Sequence, residues 1–121
     1  MKKLFYTVFL FSFFQNSFAQ KIKILTDSVH SSFRGLSVVN NDLVWVSGSN
    51  GTVGKSIDGG KSWKWMIVKG FEKADFRDIE AFDKKTVLIM AIDEPACILR
   101  TNDGGENWEI VFENKTKGMF L

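Results

Sequence analysis

SIDGGKSW (residues 56–63) and TNDGGENW (residues 101–108) share a hydroxyl residue, an Asp, a Gly-Gly pair and a Trp at the same four offsets. The repetition marks either a duplicated site or a duplicated structural unit. The surroundings repeat as well. SFRGLSVVNNDLVWVSG (32–48) aligns with DFRDIEAFDKKTVLIMA (75–91) at a spacing of 43, with Phe33-Arg34 on Phe76-Arg77, Leu36 on Ile79, and Val44-Trp45-Val46 on Val87-Leu88-Ile89. A two-residue insertion near Pro95 and Ala96 lengthens the spacing to 45, which places Asp58 on Asp103 and Trp63 on Trp108. A period of 43–45 residues belongs to propeller blades among all-β repeats and to HEAT-type helix pairs among helical ones.

The local pattern decides between them. Short β-branched or apolar runs at 36–40, 43–46, 52–57 and 63–68 alternate with the turn clusters Asn40-Asn41-Asp42, Ser49-Asn50-Gly51 and Asp58-Gly59-Gly60. Asn-Gly is a hairpin signal because both central residues of the turn need positive φ. The second repeat predicts strands at 78–82, 86–92, 97–101 and 108–112, with Asp93-Glu94-Pro95-Ala96 replacing the Asn-Gly turn. No segment carries an apolar stripe at helical spacing over three turns. Four short strands with polar turns make one blade, so the expectation is an all-β chain of about two four-stranded blades of a β-propeller.

Each part of the octapeptide has a folding role. Asp58 and Asp103 can accept hydrogen bonds from the N–H groups of their own loops. Gly59, Gly60, Gly104 and Gly105 permit positive φ. The hydroxyls of Ser56 and Thr101 can tie the start of each turn. Trp63 and Trp108 are expected to bury their rings between neighbouring sheets. The pattern S/T-x-D-x-G-x-x-W resembles the Asp-box, or bacterial neuraminidase repeat. That resemblance implies a turn-stabilising element lying away from any catalytic face. FRDIEAFD, the EPACIL-R-TNDGG run and the W-x-x-V close further resemble the photosystem II stability/assembly factor-like propellers, over residues 32–121. The resemblance implies a scaffold that holds an assembling protein partner, with about seven blades in a complete ring. Oxidoreductase or glycosyl hydrolase labels attached to such proteins find no supporting residues here.

The expected organisation is a signal peptide (1–19), an N-terminal lead-in (20–31), blade 1 (32–74), blade 2 (75–117) and the start of a truncated third blade (118–121). The first segment, MKKLFYTVFLFSFFQNSFA, has a basic start, an apolar run and small residues at Ser17 and Ala19, the three-part layout of a secretory leader. Cleavage after Ala19 and a secreted or periplasmic product are expected, with no stable membrane anchor afterwards. Lys2 and Lys3 are the only charges of the leader; without them Lys plus Arg equals the 14 Asp plus Glu. A neutral mature chain offers no charge argument for nucleic acid. Two blades alone would expose strand edges and an apolar face, so the sequence reads as an N-terminal fragment, or as a chain that self-associates.

Chemistry-bearing residues are sparse. Cys97 is the lone cysteine, which excludes an internal disulfide and suggests a buried small hydrophobe. His30 is the lone His and has no ligand cluster around it, so no metal and no cofactor is expected. Glu80 and Glu94 lack an opposing carboxylate. A sialidase-like glycoside hydrolase is the alternative, but Arg100 aligns with Lys55 as a surface charge, and the only Tyr, Tyr6, lies in the leader. Arg34 and Arg77 recur at one blade position, read as just before the first strand. That strand lines the channel in propellers, so the pair could begin a positive ring that grips a partner's carboxylate. The competing reading pairs them with Asp75 or Asp78. The function expected is non-catalytic binding of a protein or peptide through the channel face.

Overall fold

The computed structural model describes residues 20–93 and 95–116. The expected leader, Glu94 and the expected third-blade start lie outside them. Two four-stranded antiparallel meanders follow one another. The first has the order β1 (Phe33–Val38), β2 (Val44–Gly48), β3 (Thr52–Ser56) and β4 (Lys64–Ile67). The second has β5 (Phe76–Ala81), β6 (Val87–Ala91), β7 (Ala96–Thr101) and β8 (Glu109–Asn114). No described residue is helical. The all-β reading and the two-blade arrangement hold.

The first strand of each blade starts earlier than the sequence pattern suggests. Phe33 pairs with Gly48 and Phe76 with Ala91, and each ladder then slips by one residue before resuming at Gly35 and at Asp78. The slipped residues are Arg34 and Arg77. They therefore lie inside β1 and β5, each on a bulge, and not ahead of the strands. A bulge leaves its extra residue unpaired and re-aims the side chain, which hides the strand start from a period-two reading. Between β2 and β3, Asn50 (φ 57°) and Gly51 (φ 64°) form the hairpin turn that their sequence signals.

The core lies at the seam between the two sheets. Trp45 and Val53 from the first blade meet Phe76, Ile79, Val87, Ile89 and Leu99 from the second, all buried. The seam closes tightly along β1 and β5 because the first blade presents small residues there. A Cβ on Gly35 would sit 2.3 Å from the Ser47 hydroxyl and 2.9 Å from the Ile79 amide nitrogen. The Ser37 hydroxyl accepts the Ala81 N–H at 3.0 Å, and the Ser47 hydroxyl donates to the Phe76 carbonyl at 3.4 Å. The edge of β5 thus finds hydrogen-bond partners in side chains of the preceding blade, and a buried edge needs such partners. The other face of the first blade is open: Leu36 is 65% exposed and Ile67 54%.

Candidate functional site

The meander gives each blade two rims. One carries the starts of β1 and β3 and the ends of β2 and β4. The opposite rim carries the β1–β2 and β3–β4 turns. Both octapeptides lie on the second rim, and their internal bonding is nearly superimposable.

In the first, the Ser56 hydroxyl accepts the Gly60 N–H (2.8 Å) and donates to Asp58 Oδ1 (2.9 Å). Asp58 Oδ1 also accepts the Ser62 N–H at 2.8 Å, and the Trp63 indole N–H donates to the Gly60 carbonyl at 3.1 Å. In the second, Thr101 accepts the Gly105 N–H (3.0 Å) and donates to Asp103 (2.8 Å). Asp103 takes the Asn107 N–H (2.9 Å), and Trp108 donates to the Gly105 carbonyl (3.1 Å). Gly59, Gly60, Gly104 and Gly105 all have positive φ, between 70° and 93°. Gly59 and Gly104 each donate to the β1–β2-type turn of their own blade, at Asp42 and Lys85. Hydrogen bonding by Ser62 holds the Asp58 carboxyl down at about 2, and bonding by Asn107 and Thr101 does the same for Asp103. Both carboxylates are spent on backbone and side-chain donors of their own loops, an arrangement that fixes a turn.

Trp63 and Trp108 are half-buried, and the fully buried indole is Trp45. Trp108 packs against the core at the seam, as the sequence reading expects, whereas Trp63 lies on the open face of the first blade. Trp63 stacks on Trp65 with centroids 5.3 Å apart, and Trp65 stacks on Phe33 at 5.4 Å, so this aromatic row covers the open face of the first blade.

Arg34 and Arg77 lie on the opposite rim, where β1 and β5 converge. Asp75, in the connection from β4 to β5, sits between them. Its carboxylate is 3.3 Å from Arg34 Nε and 3.0 Å from Arg77 Nε. Asp78, the other candidate partner, instead accepts the Ile79 N–H. One carboxylate thus draws two guanidinium groups from adjacent blades together and leaves one positive charge in excess. The side chains of Arg34 and Arg77 stay 41% and 42% exposed. Asp75 is itself anchored, since its N–H donates to Asp93 Oδ2 at 2.9 Å.

The remaining candidates do not assemble. Cys97 is buried and free, and burial pushes its thiol up, away from a reactive thiolate. His30 and Arg100 are exposed at separate places, and no metal-ligating cluster exists among the described residues. Ser37 and Ser47, which tie the blades together, carried no sequence signal beyond their place in alternating strands.

A family model described as "Photosynthesis system II assembly factor YCF48" matches residues 14–119. No curated protein matches the sequence. Among solved structures, YCF48 bound to D1 peptide resembles the chain with a TM-score of 0.56 and 23% identity, covering 68% of this chain and 27% of that one. YCF48 from Cyanidioschyzon merolae gives a TM-score of 0.58 and 22% identity, covering 74% of this chain and 29% of that one. The chain therefore spans less than a third of the length of these structures, and at this identity the likeness is one of fold.

Proposed function

We infer the function from one premise: the chain belongs to the Photosynthesis system II assembly factor YCF48 family. It acts as part of a non-catalytic propeller that holds a segment of a protein partner against the rim bearing Arg34 and Arg77. The observation that carries this reading is the doubled arginine on Asp75. A guanidinium presents a planar fork of donors, and the two forks here are fixed from one side through Nε while staying exposed. Their outward donors match a carboxylate of an extended peptide bidentately. The bulges set both side chains at equivalent points of adjacent blades, as a ring-shaped site requires. A structural relative has been solved with a peptide bound, which supports peptide binding for this chain. The glycoside hydrolase alternative has no residue in its favour, since the sole Tyr lies within the first ten residues.

The open faces of both blades support completion of the ring, by further blades or by another copy of the chain. The basic-apolar-small pattern of residues 1–19 supports export to the periplasm or beyond.

The test is fluorescence anisotropy with a labelled peptide ending in acidic residues and a free carboxylate. Arg34→Ala combined with Arg77→Ala should weaken binding by roughly tenfold or more, since hydrogen bonds to charged groups contribute about 1.5–3 kcal/mol. Unchanged affinity in the double variant would overturn the reading.

A further inference from the structure

The rim opposite the arginines carries a second charged site. A cleft of ≈ 570 Å³ opens between the two Asp-box turns, at the seam of the blades. Lys55 of β3, Lys64 of β4, and Lys84 and Lys85 of the turn between β5 and β6 line it, against apolar walls from Ile57 and Trp63.

Lys55 is the anchor. Its ammonium donates to the Gly104 carbonyl at 3.2 Å and lies 5.0 Å from the centre of the Trp45 ring. The glycine makes this approach possible. A Cβ at Gly104 would stand 3.0 Å from Lys55 Nζ and 3.1 Å from the Lys84 carbonyl oxygen. Burial lowers the Lys55 pKa, and the neighbouring Lys64 and Lys84 lower it further, while Glu106 partly offsets them.

The acidic groups nearby have fixed partners but keep their charge, and Asp103 is among the residues lining the cleft. Glu106 pairs with Lys64 across the seam. Asp103 is held by Thr101 and Asn107, and Asp83 accepts the N–H groups of Lys85 and Thr86. Lys84 and Lys85 make no ion pair with any described residue. Lys55, Lys84 and Lys85 thus line one open cleft together with a single acidic residue, Asp103, which is held by its own loop, and Asp83 and Glu106 offset part of their charge.

We propose that this cleft is an oxyanion site that takes a phosphate group through Lys55, Lys84 and Lys85. Lysine ammonium groups are compact point charges on flexible stems, which suits a tetrahedral phosphate better than the planar fork of a carboxylate. The site is independent of the arginine rim, because Arg34 and Arg77 lie at the other end of the strands. It stands or falls separately from the peptide-binding function.

The experiment is a titration of the chain with inorganic phosphate at constant ionic strength, followed by the backbone amide resonances of Lys84, Lys85 and Gly104. Saturable shifts in these amides are expected. Lys84→Ala with Lys85→Ala, two exposed turn positions, should weaken phosphate roughly tenfold while the other amide resonances keep their positions. Vesicles of phosphatidylcholine doped with phosphatidic acid distinguish the source of the phosphate. Lysine-dependent binding that inorganic phosphate displaces would assign a lipid headgroup; phosphate binding with no vesicle binding would assign a free phosphate. Shifts that do not saturate, that chloride reproduces, or that persist in the double variant overturn the proposal. So does vesicle binding that phosphate fails to displace.

Discussion

Replacing Thr101 by Val tests what the Asp-box is for. The side chain is buried and Val keeps its shape, so packing changes little. What disappears is the hydroxyl that accepts the Gly105 N–H at 3.0 Å and donates to Asp103. Gly105 is buried, so its N–H is left with no acceptor from residue 101 and no route to water. An orphaned buried donor costs about 1–3 kcal/mol. Asp103 keeps both bonds from Asn107, so the loss centres on the amide. For a domain of ~60–100 residues each kcal/mol moves the midpoint by about 4–8 °C, and Thr101→Val should lower Tm by roughly 4–24 °C. Thr101→Ser keeps the hydroxyl and should recover most of the difference. Ser56→Ala, which removes the acceptor of the buried Gly60 N–H, should cost a similar amount. Circular dichroism melts of the four proteins decide the matter. A Thr101→Val melt within a degree or so of the parent, or a Thr101→Ser protein as unstable as Thr101→Val, would refute the structural role.

Three further outcomes follow from the seam and from the turns. Gly35→Ala should destabilise by about 1–3 kcal/mol, because the added methyl meets Ser47 and the β5 backbone at the inter-blade contact, and urea titration measures it. Asp58 and Asp103 have folded pKa values depressed to about 2 from 3.8, so their contribution is present above pH ~4 and lost as pH falls towards 2. Tm should decline through that window, and Asp58→Asn with Asp103→Asn should flatten the decline. Cys97 should resist a thiol reagent in the native state and react only on unfolding, since burial raises its pKa and hides the sulfur; rapid native labelling would contradict its place in the core.

The blades were legible because their signals are local. Asn50-Gly51 forces positive φ, the Asp-box closes on itself within seven residues, and the 43–45-residue spacing sets the unit. The strand starts were not, because a bulge at Arg34 and at Arg77 breaks the alternation on which strand reading depends. Trp63 was read as an inter-sheet ring because a large apolar residue beside a strand usually packs inward. Trp108, with the same indole bond to its turn, does pack on the seam core, while Trp63 stacks on Trp65 on the open face of the first blade. The pairing of both arginines with Asp75 was one of two options in the sequence. Only the convergence of β1 and β5 brings Arg34 to a residue 41 positions away. The lysine cleft left no sequence signal, because its members come from two blades and meet only across the seam.

The proposed function has the chain hold a partner segment at the rim where Arg34 and Arg77 meet on Asp75. The most direct measurement follows the arginine Nε–H and backbone amide resonances of the chain while a peptide with a free acidic C-terminus is added. Saturable shifts are expected at the Nε–H of Arg34 and Arg77 and at the amides of Gly35 and Asp78 beside the bulges, with amidation of the peptide weakening them. Binding with these resonances unmoved, or with shifts confined to the Asp-box rim, would contradict it.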